Sequence, residues 1–146
     1  MIAVDTNLLV YAHRPEGPFH EAAAMALVGL ATGASPWGLP WSAVHEFLHV
    51  VTHPRVFADP TPLAVAADAI EEWLASPSVV PLAEPAGYFA TFRDAAESAR
   101  ARGTGIYDAR IAAVCLAHGV RELWTADRDF GRFPGLRTKN PIVGSR

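Results

Sequence analysis

The sequence predicts an α/β fold in which helices cover both faces of a parallel sheet. Short apolar segments of strand length alternate with longer segments that have helical periodicity. Two helical segments usually separate consecutive strands, and parallel strands need such long connections because each connection must cross over the sheet. The length of 146 residues is that of one domain with a substantial core, so residues 1–146 are treated as a single domain.

The first half of the chain is predicted to begin with two strands and three helices. Residues 1–4 are apolar and form a strand, after which a helix is expected to begin at Leu8. A second helix is expected between Pro18 and Gly33, where apolar residues recur at helical spacing. Residues 39–41 are assigned to a short strand, with Ser42 as the N-cap of a helix that continues to His53.

The remaining elements follow the same alternation. A helix is expected to start after Pro62, and its apolar stripe is formed by Leu63, Ala67, Ile70 and Leu74. Residues 79–82 are predicted to form a buried strand. An amphipathic helix over 88–102 has as its inward residues Phe89, Phe92, Ala96 and Ala99. The last predicted elements are a nearly all-apolar helix over 106–118, a strand over 122–125 and a possible last strand over 136–138.

Composition excludes several classes of protein. Apolar residues make up 51% of the chain and charged residues 18%, which excludes a disordered chain. The single cysteine, Cys115, excludes a disulfide framework and fits a reducing compartment. The longest uncharged run, residues 22–44, is interrupted by glycine and proline, so we do not expect it to form a membrane-spanning helix. The first residues include the acidic Asp5 and no basic residue before it, which is not typical of a signal peptide. We therefore expect a cytoplasmic protein that does not enter a membrane.

Charge is distributed unevenly along the chain. Residues 1–89 carry two arginines and nine acidic residues, whereas residues 90–146 carry nine arginines, one lysine and six acidic residues. Arginine suits bidentate contact with phosphate, so the basic last third is compatible with nucleic-acid binding. The simpler interpretation is a solvated surface, which we expect for Arg93, Arg100 and Arg102 on the outer face of their helix.

Four acidic residues lie at strand ends or helix starts. Asp5 and Asp127 follow predicted strands, whereas Glu46 and Asp108 lie near the first turns of predicted helices. In a parallel α/β sheet such positions meet at the carboxyl edge, where functional groups gather. Each acid taken alone has a structural explanation, such as a cap, a turn or a favourable interaction with a helix dipole. Together, with no lysine nearby, they favour a site for Mg²⁺ or Mn²⁺, which prefer oxygen ligands.

A second metal-binding pattern includes Glu46. Residues 45–49 have the sequence HEFLH, an H-E-x-x-H pattern typical of zinc metalloproteases, and His53 continues the series at four-residue spacing. A third zinc ligand is not evident, and zinc hydrolysis would leave Asp5, Asp108 and Asp127 unexplained. We therefore expect the histidines to pack or face solvent beside the acidic site, and weak Zn²⁺ or Ni²⁺ binding is the alternative.

The acidic segments resemble those of PIN-domain ribonucleases. The resemblance rests on residues 4–7 (VDTN), 42–47 (SAVHEF), 107–113 (YDARIAA) and 125–130 (TADRDF), whose order and spacing match across the whole chain. The size and layout are similar to those of the VapC-type toxins of toxin–antitoxin pairs. The resemblance implies a three-layer α/β/α fold with a central, mostly parallel sheet of four to five strands.

The resemblance also implies roles for individual residues. The residues that would hold one or two Mg²⁺ or Mn²⁺ ions and act in RNA hydrolysis are Asp5, Glu46, Asp108 and Asp127. Asp129 either joins this site or caps the loop. Supporting roles at the edge of the site fall to Thr6, Asn7 and Thr125. Arg110 and Arg128 are expected to contact RNA phosphates or to steady the acids.

The same resemblance implies partners, and it leaves alternatives open. A toxin of this kind would form a homodimer and would be neutralised by a small cognate antitoxin. The alternatives are an RNA-processing nuclease without an antitoxin and a non-catalytic nucleic-acid-binding module. The last of these predicts gaps in the acidic set, whereas all four positions are filled here.

Overall fold

A computed structural model describes residues 1–143 and contains five strands and six α-helices within that range. The strands are β1 (Ile2–Val4), β2 (Trp37–Pro40), β3 (Val79–Leu82), β4 (Glu122–Trp124) and β5 (Arg137–Lys139). The helices are α1 (Thr6–His13), α2 (His20–Thr32), α3 (Trp41–Val51), α4 (Leu63–Leu74), α5 (Tyr88–Ser98) and α6 (Gly105–Ala117). A 3₁₀ turn occupies Arg128–Arg132 between β4 and β5.

The five strands form one sheet in the order β3-β2-β1-β4-β5, and every neighbouring pair is parallel. Successive residues of β1 point to opposite faces of this sheet. Ala3 packs in a core formed mainly by α5, α6 and β4, whereas Val4 packs in a core formed mainly by α1 to α4. The predicted three-layer α/β/α arrangement around a parallel sheet is therefore confirmed, with five strands.

The strand order brings distant parts of the chain together at the carboxyl edge of the sheet. β1 lies at the centre, where the chain leaves the sheet toward α1, and its register pairs Val4 with Trp124 of β4. The pairing continues one step further, because the backbone N–H of Asp5 donates to the Trp124 carbonyl at 3.0 Å. Asp5 and Thr125 are thus held side by side, 120 residues apart in sequence.

Several local predictions were wrong, for identifiable reasons. β2 starts at Trp37 instead of Leu39, because the fully buried Trp37 side chain packs in the core. The helix that follows begins at Trp41 with Pro40 at the N-cap position, so Ser42 lies inside its first turn. β3 was expected to be buried, but it is an edge strand whose middle residues, Val80 and Pro81, are exposed.

The predicted inward stripes of α4 and α5 are largely confirmed, but each begins with a residue that is exposed. Ile70 and Ala99 are buried, and Leu74, Phe92 and Ala96 pack against the core. Leu63 is 66% exposed, and α4 packs inward through Ala66 and Ile70. Phe89 is 68% exposed, and α5 ends at Ser98 instead of Arg102. No helix among residues 1–143 is long and apolar enough to cross a membrane.

Candidate metal centre

Asp5 lies in the innermost part of the candidate site. It follows β1 directly and is the N-cap residue of α1, and its side chain is only 4% exposed. One carboxylate oxygen, Oδ1, accepts a hydrogen bond from the backbone N–H of Thr6 at 2.7 Å. The other, Oδ2, accepts from the Thr125 hydroxyl at 2.8 Å. A buried carboxylate requires such partners, so Asp5 is both a helix cap and a fixed acid at the edge of the sheet.

The Thr125 hydroxyl joins three segments of the site. While donating to Asp5, it accepts from the backbone N–H of Asp127 at 3.0 Å and from the Asn7 side-chain amide at 3.3 Å. The Asn7 side-chain oxygen, Oδ1, in turn accepts from the backbone N–H of Ala126 at 3.2 Å. These bonds fix the chain after β4 against the start of α1, and thereby set where the Asp127 carboxylate can lie.

Glu46 approaches the same place from α3. It lies in the second turn of the helix, and its carboxylate accepts a hydrogen bond from the Thr6 hydroxyl at 2.9 Å. Thr6 is therefore shared between two acids, since its backbone N–H binds Asp5 and its hydroxyl binds Glu46. Glu46 is exposed to the cleft, which leaves the carboxylate accessible to a ligand.

Three further carboxylates meet on the other side of the cleft. Asp108 lies in the first turn of α6, and Asp127 and Asp129 flank the start of the 3₁₀ turn. Each contributes one carboxylate oxygen to a group whose atoms all lie within 4.8 Å of one another. Asp129 also acts locally, because its backbone N–H donates to the Asp127 carboxylate at 2.9 Å. The geometry thus brings Asp129 toward the site while Asp127 caps the turn.

Burial and mutual repulsion perturb two of these acids. Burial raises the pKa of Asp5 to about 7, and the negative charges of Glu46 and Asp108 add to the effect, although the bonds from Thr125 and Thr6 oppose it. The pKa of Asp108 is raised to about 6 by burial and by Asp127 and Glu46, and it is lowered in part by Arg132. A carboxylate cluster with these properties is one that a bound cation stabilises.

The acids face two adjoining cavities. Asp5, Glu46, Asp108 and Asp127 all line a cavity of about 340 Å³, together with apolar side chains that include Phe130. A second cavity of about 660 Å³ shares the last three acids with the first and extends over α6. We call the smaller cavity, which is lined by all four acids, the inner cavity, and the larger one, which has room for a larger molecule, the outer cavity.

The histidines of the H-E-x-x-H pattern are arranged differently from a zinc site. His45 and His49 are exposed and line the outer cavity, and the His45 ring stacks on Trp41 with centroids 6.4 Å apart. The His49 ring lies edge-on to His53 at 5.3 Å. Within the described residues, no histidine belongs to a group of three ligands. Glu46 instead bonds to Thr6, on the side of the acids.

The arginines near the site differ from those singled out in the sequence. Arg110 lines the outer cavity, but its guanidinium is paired with Glu84 at 2.6 Å. Arg128 is exposed at the start of the 3₁₀ turn. Arg132, which was not predicted from the sequence, lies closer to the acids, with its guanidinium 3.9 Å from the Asp108 carboxylate. No motif could have revealed it, because this contact depends on how the 3₁₀ turn folds over α6.

Two named ribonucleases align with nearly the whole chain. Ribonuclease VapC43 of Mycobacterium tuberculosis is 39% identical over 144 residues, covering 99% of this chain and 97% of the relative. Ribonuclease VapC48 of the same species is 32% identical over 140 residues, covering 96% and 97%.

Solved structures share the fold at lower sequence identity. Mycobacterium tuberculosis VapC20, described as a toxin that cleaves the sarcin-ricin loop, has a TM-score of 0.66 and 19% identity, covering 94% of this chain and 99% of that one. VapBC2 of Rickettsia felis, solved with a promoter DNA fragment, has a TM-score of 0.65 and 20% identity, covering 96% and 98%. The family model of the PIN domain matches residues 2–136. The chain therefore belongs to the PIN-domain family.

Proposed function

We propose that this protein is a divalent-metal-dependent endoribonuclease and the toxin of a toxin–antitoxin pair. The observation that carries the activity is the convergence of Asp5, Glu46, Asp108 and Asp127 around one cavity at the carboxyl edge of the sheet. Relatives named as VapC ribonucleases, at 32% and 39% identity over nearly the full chain, support both the activity and its class of substrate.

The donor set fits Mg²⁺ or Mn²⁺. Its members are carboxylates, and Asp108, Asp127 and Asp129 already place one oxygen atom each within 4.8 Å of one another. The residues that would hold the metal are Asp5, Glu46, Asp108 and Asp127, and Asp129 is an additional ligand. When bound, the metal would supply an activated water and offset negative charge on the phosphate.

The protein's own side chains position this centre. Asp5 has both carboxylate oxygens held by hydrogen bonds, so it presents its remaining lone pairs in fixed directions. Thr6 and Thr125 orient Glu46 and Asp5, and they provide no charge of their own. Because the pKa values of Asp5 and Asp108 lie at about 7 and about 6, these carboxyls hold protons near neutrality unless a cation compensates them.

Cleavage of RNA is tested directly with the purified full chain. A labelled pool of total RNA is incubated with Mg²⁺, with Mn²⁺ and with EDTA, and the products are separated by size. We expect discrete fragments with either metal and none with EDTA. Cleavage that is unaffected by EDTA would contradict the proposal. A folded protein that binds RNA but does not cut it with any metal would instead indicate a non-catalytic binding module.

The toxin assignment rests on the relatives and on structures described as VapBC complexes. We infer a cytoplasmic homodimer neutralised by a small VapB-type antitoxin whose gene lies beside that of the toxin. Induced expression of this chain alone should arrest bacterial growth, and co-expression of the neighbouring small gene should restore it. Growth that continues despite active nuclease would favour the RNA-processing alternative.

A further inference from the structure

A groove rich in arginine adjoins the candidate metal centre. This arginine groove lies between α5 and α6, has a volume of about 880 Å³, and is lined by Arg100, Arg102, Thr104, Gly105, Arg132 and Glu97 among others. Thr104 also lines the outer cavity of the metal centre, so the two spaces adjoin at this residue. Arg132 makes the same connection, because its guanidinium lies over Gly105 and 3.9 Å from Asp108.

The groove has a strong positive charge. Its arginines are exposed, and its floor consists largely of alanine and glycine, which leave the guanidinium groups open to a ligand. Glu97 is the acidic residue on its rim, and the Arg93 guanidinium already pairs with the Glu97 carboxylate at 3.0 Å. The remaining cations of the groove have no comparable carboxylate beside them among the described residues except Asp108, which belongs to the metal centre.

One of these arginines occupies a position that normally favours glycine. α5 ends at Ser98 with Ala99 as its C-cap, and Arg100 follows with φ of +51° in the left-handed region. The Arg100 N–H bonds to the Glu97 carbonyl and the Ala101 N–H to the Ala96 carbonyl, which together form a Schellman motif. Glycine adopts this conformation without steric cost, whereas arginine is strained there. Arginine at this position adds a positive charge to the lining of the groove, whereas glycine would add none.

We propose that the arginine groove binds the backbone phosphates of the RNA strand on one side of the scissile bond, through Arg100, Arg102 and Arg132. This inference rests on the proposed ribonuclease function and extends it to the path of the substrate. Arginine recognises phosphate through two parallel N–H donors, and a row of such contacts holds a single strand without reading its sequence. Because Arg132 lines the groove and its guanidinium lies 3.9 Å from the Asp108 carboxylate, a strand bound in the groove would bring the next phosphate close to the metal centre.

Binding of RNA in the absence of cleavage tests this inference. The affinity of a short fluorescent single-stranded RNA for the full chain is measured by anisotropy in EDTA, over a series of salt concentrations. Arg100→Gly removes the charge and relieves the strain, so it should raise the melting temperature while weakening binding roughly three- to tenfold. Arg102→Gln should weaken binding by a similar factor. Each variant should reduce the slope of log Kd against log salt by about 0.7.

Two control variants separate charge in the groove from charge elsewhere. Arg121→Gln removes one positive charge directly before β4, at the opposite edge of the sheet, and should bind RNA like the wild type. Arg100→Lys keeps the charge and should retain most of the affinity. A double variant of Arg100→Gly and Arg102→Gln that binds RNA as tightly as the wild type overturns the inference, as does a wild-type chain that binds no RNA in EDTA or in Ca²⁺.

A parallel cleavage assay with Mn²⁺ keeps this result distinct from the proposed function. Cleavage by the wild type together with unchanged binding by the double variant would contradict RNA binding in the groove and would support the nuclease activity. Loss of binding in the variants together with no cleavage by the wild type would support the groove as an RNA site and contradict the nuclease.

Discussion

The hydroxyl of Thr125 donates a hydrogen bond to the carboxylate of Asp5 at 2.8 Å, joining the exits of two neighbouring strands. Because the same hydroxyl accepts from the Asp127 N–H, it couples the most buried acid of the site to a second acid of the cluster. A neutral side chain thus joins the Asp5 carboxylate to the backbone that carries Asp127. This relationship makes Thr125 a positioning residue whose loss should disturb metal binding.

Thr125→Val is expected to lower metal affinity and cleavage by about 10- to 100-fold with little loss of folded structure. Valine fills the same volume, but it leaves Asp5 without its donor and the Asp127 N–H without its acceptor. The measurement is Mn²⁺ binding by calorimetry beside the cleavage rate. Thr125→Ser keeps the hydroxyl and should retain most of the activity. Equal Mn²⁺ affinities in the valine and serine variants would show that the hydroxyl has no positioning role.

Asp5→Asn is expected to stabilise the metal-free protein at neutral and alkaline pH. The pKa of Asp5 is about 7 in the folded protein against 3.8 normally, so the folded state binds this proton more tightly than the unfolded state does. Its contribution to stability is complete below pH 3.8 and is lost as the pH rises through about 7. Above that pH the variant should gain on the order of 3 kcal/mol in free energy of unfolding over the wild type.

Urea unfolding in EDTA, measured over a range of pH, checks this expectation. The advantage of the Asn variant should disappear at acidic pH, where the wild-type carboxyl is also neutral. Asp68→Asn, on the exposed face of α4, serves as the control and should show no such pH dependence. An Asn variant that is less stable than the wild type at every pH would contradict the interpretation of Asp5 as an uncompensated buried charge.

Asp108→Asn is expected to weaken Mn²⁺ binding and cleavage about 100-fold or more, because it removes a carboxylate that reaches both Asp127 and Asp129. Asp129→Asn tests the additional ligand and should weaken binding about 10-fold, since the residue is exposed at the rim of the group. Asp94→Asn, on the exposed surface of α5, is the matched control. Wild-type affinity in Asp129→Asn would restrict the role of that residue to the turn.

His49→Ala is expected to leave metal-dependent cleavage close to the wild-type rate. The side chain is exposed at the rim of the outer cavity, and its ring contacts His53 instead of the acids. Cleavage is measured with Mg²⁺, and bound zinc is measured in the purified protein. Loss of activity together with loss of stoichiometric zinc would revive the H-E-x-x-H interpretation.

The sequence predicted the layers of the fold because their signals are local. Alternation of short apolar strands and amphipathic helices is visible along the chain, and the parallel sheet follows from it. That the four acids lie at the same edge of the sheet was also predictable, because each follows a strand or lies near the start of a helix and such positions share one edge. The convergence of Asp5, Glu46, Asp108 and Asp127 on one cavity agrees with this expectation.

What the sequence did not predict depends on contacts between distant elements. The exposure of Val80 follows from β3 being at the edge of the sheet, which periodicity does not reveal. Arg110 was expected to contact RNA phosphates or to steady the acids, but its guanidinium pairs with Glu84. That partner lies 26 residues away in sequence, so no local pattern indicates it. The proximity of Arg132 to Asp108 likewise depends on the fold of the 3₁₀ turn. Side-chain partners of this kind are set by tertiary structure, so local sequence patterns do not predict them.

The claim that the acids act as one metal centre for RNA hydrolysis is tested most directly by the rate of RNA cleavage as a function of Mn²⁺ concentration. The wild type and Asp5→Asn are compared, and circular dichroism establishes that both are folded. We predict saturable cleavage by the wild type, none in EDTA, and none by the variant at any Mn²⁺ concentration. Cleavage by Asp5→Asn at the wild-type rate, with the same dependence on Mn²⁺, would contradict the account.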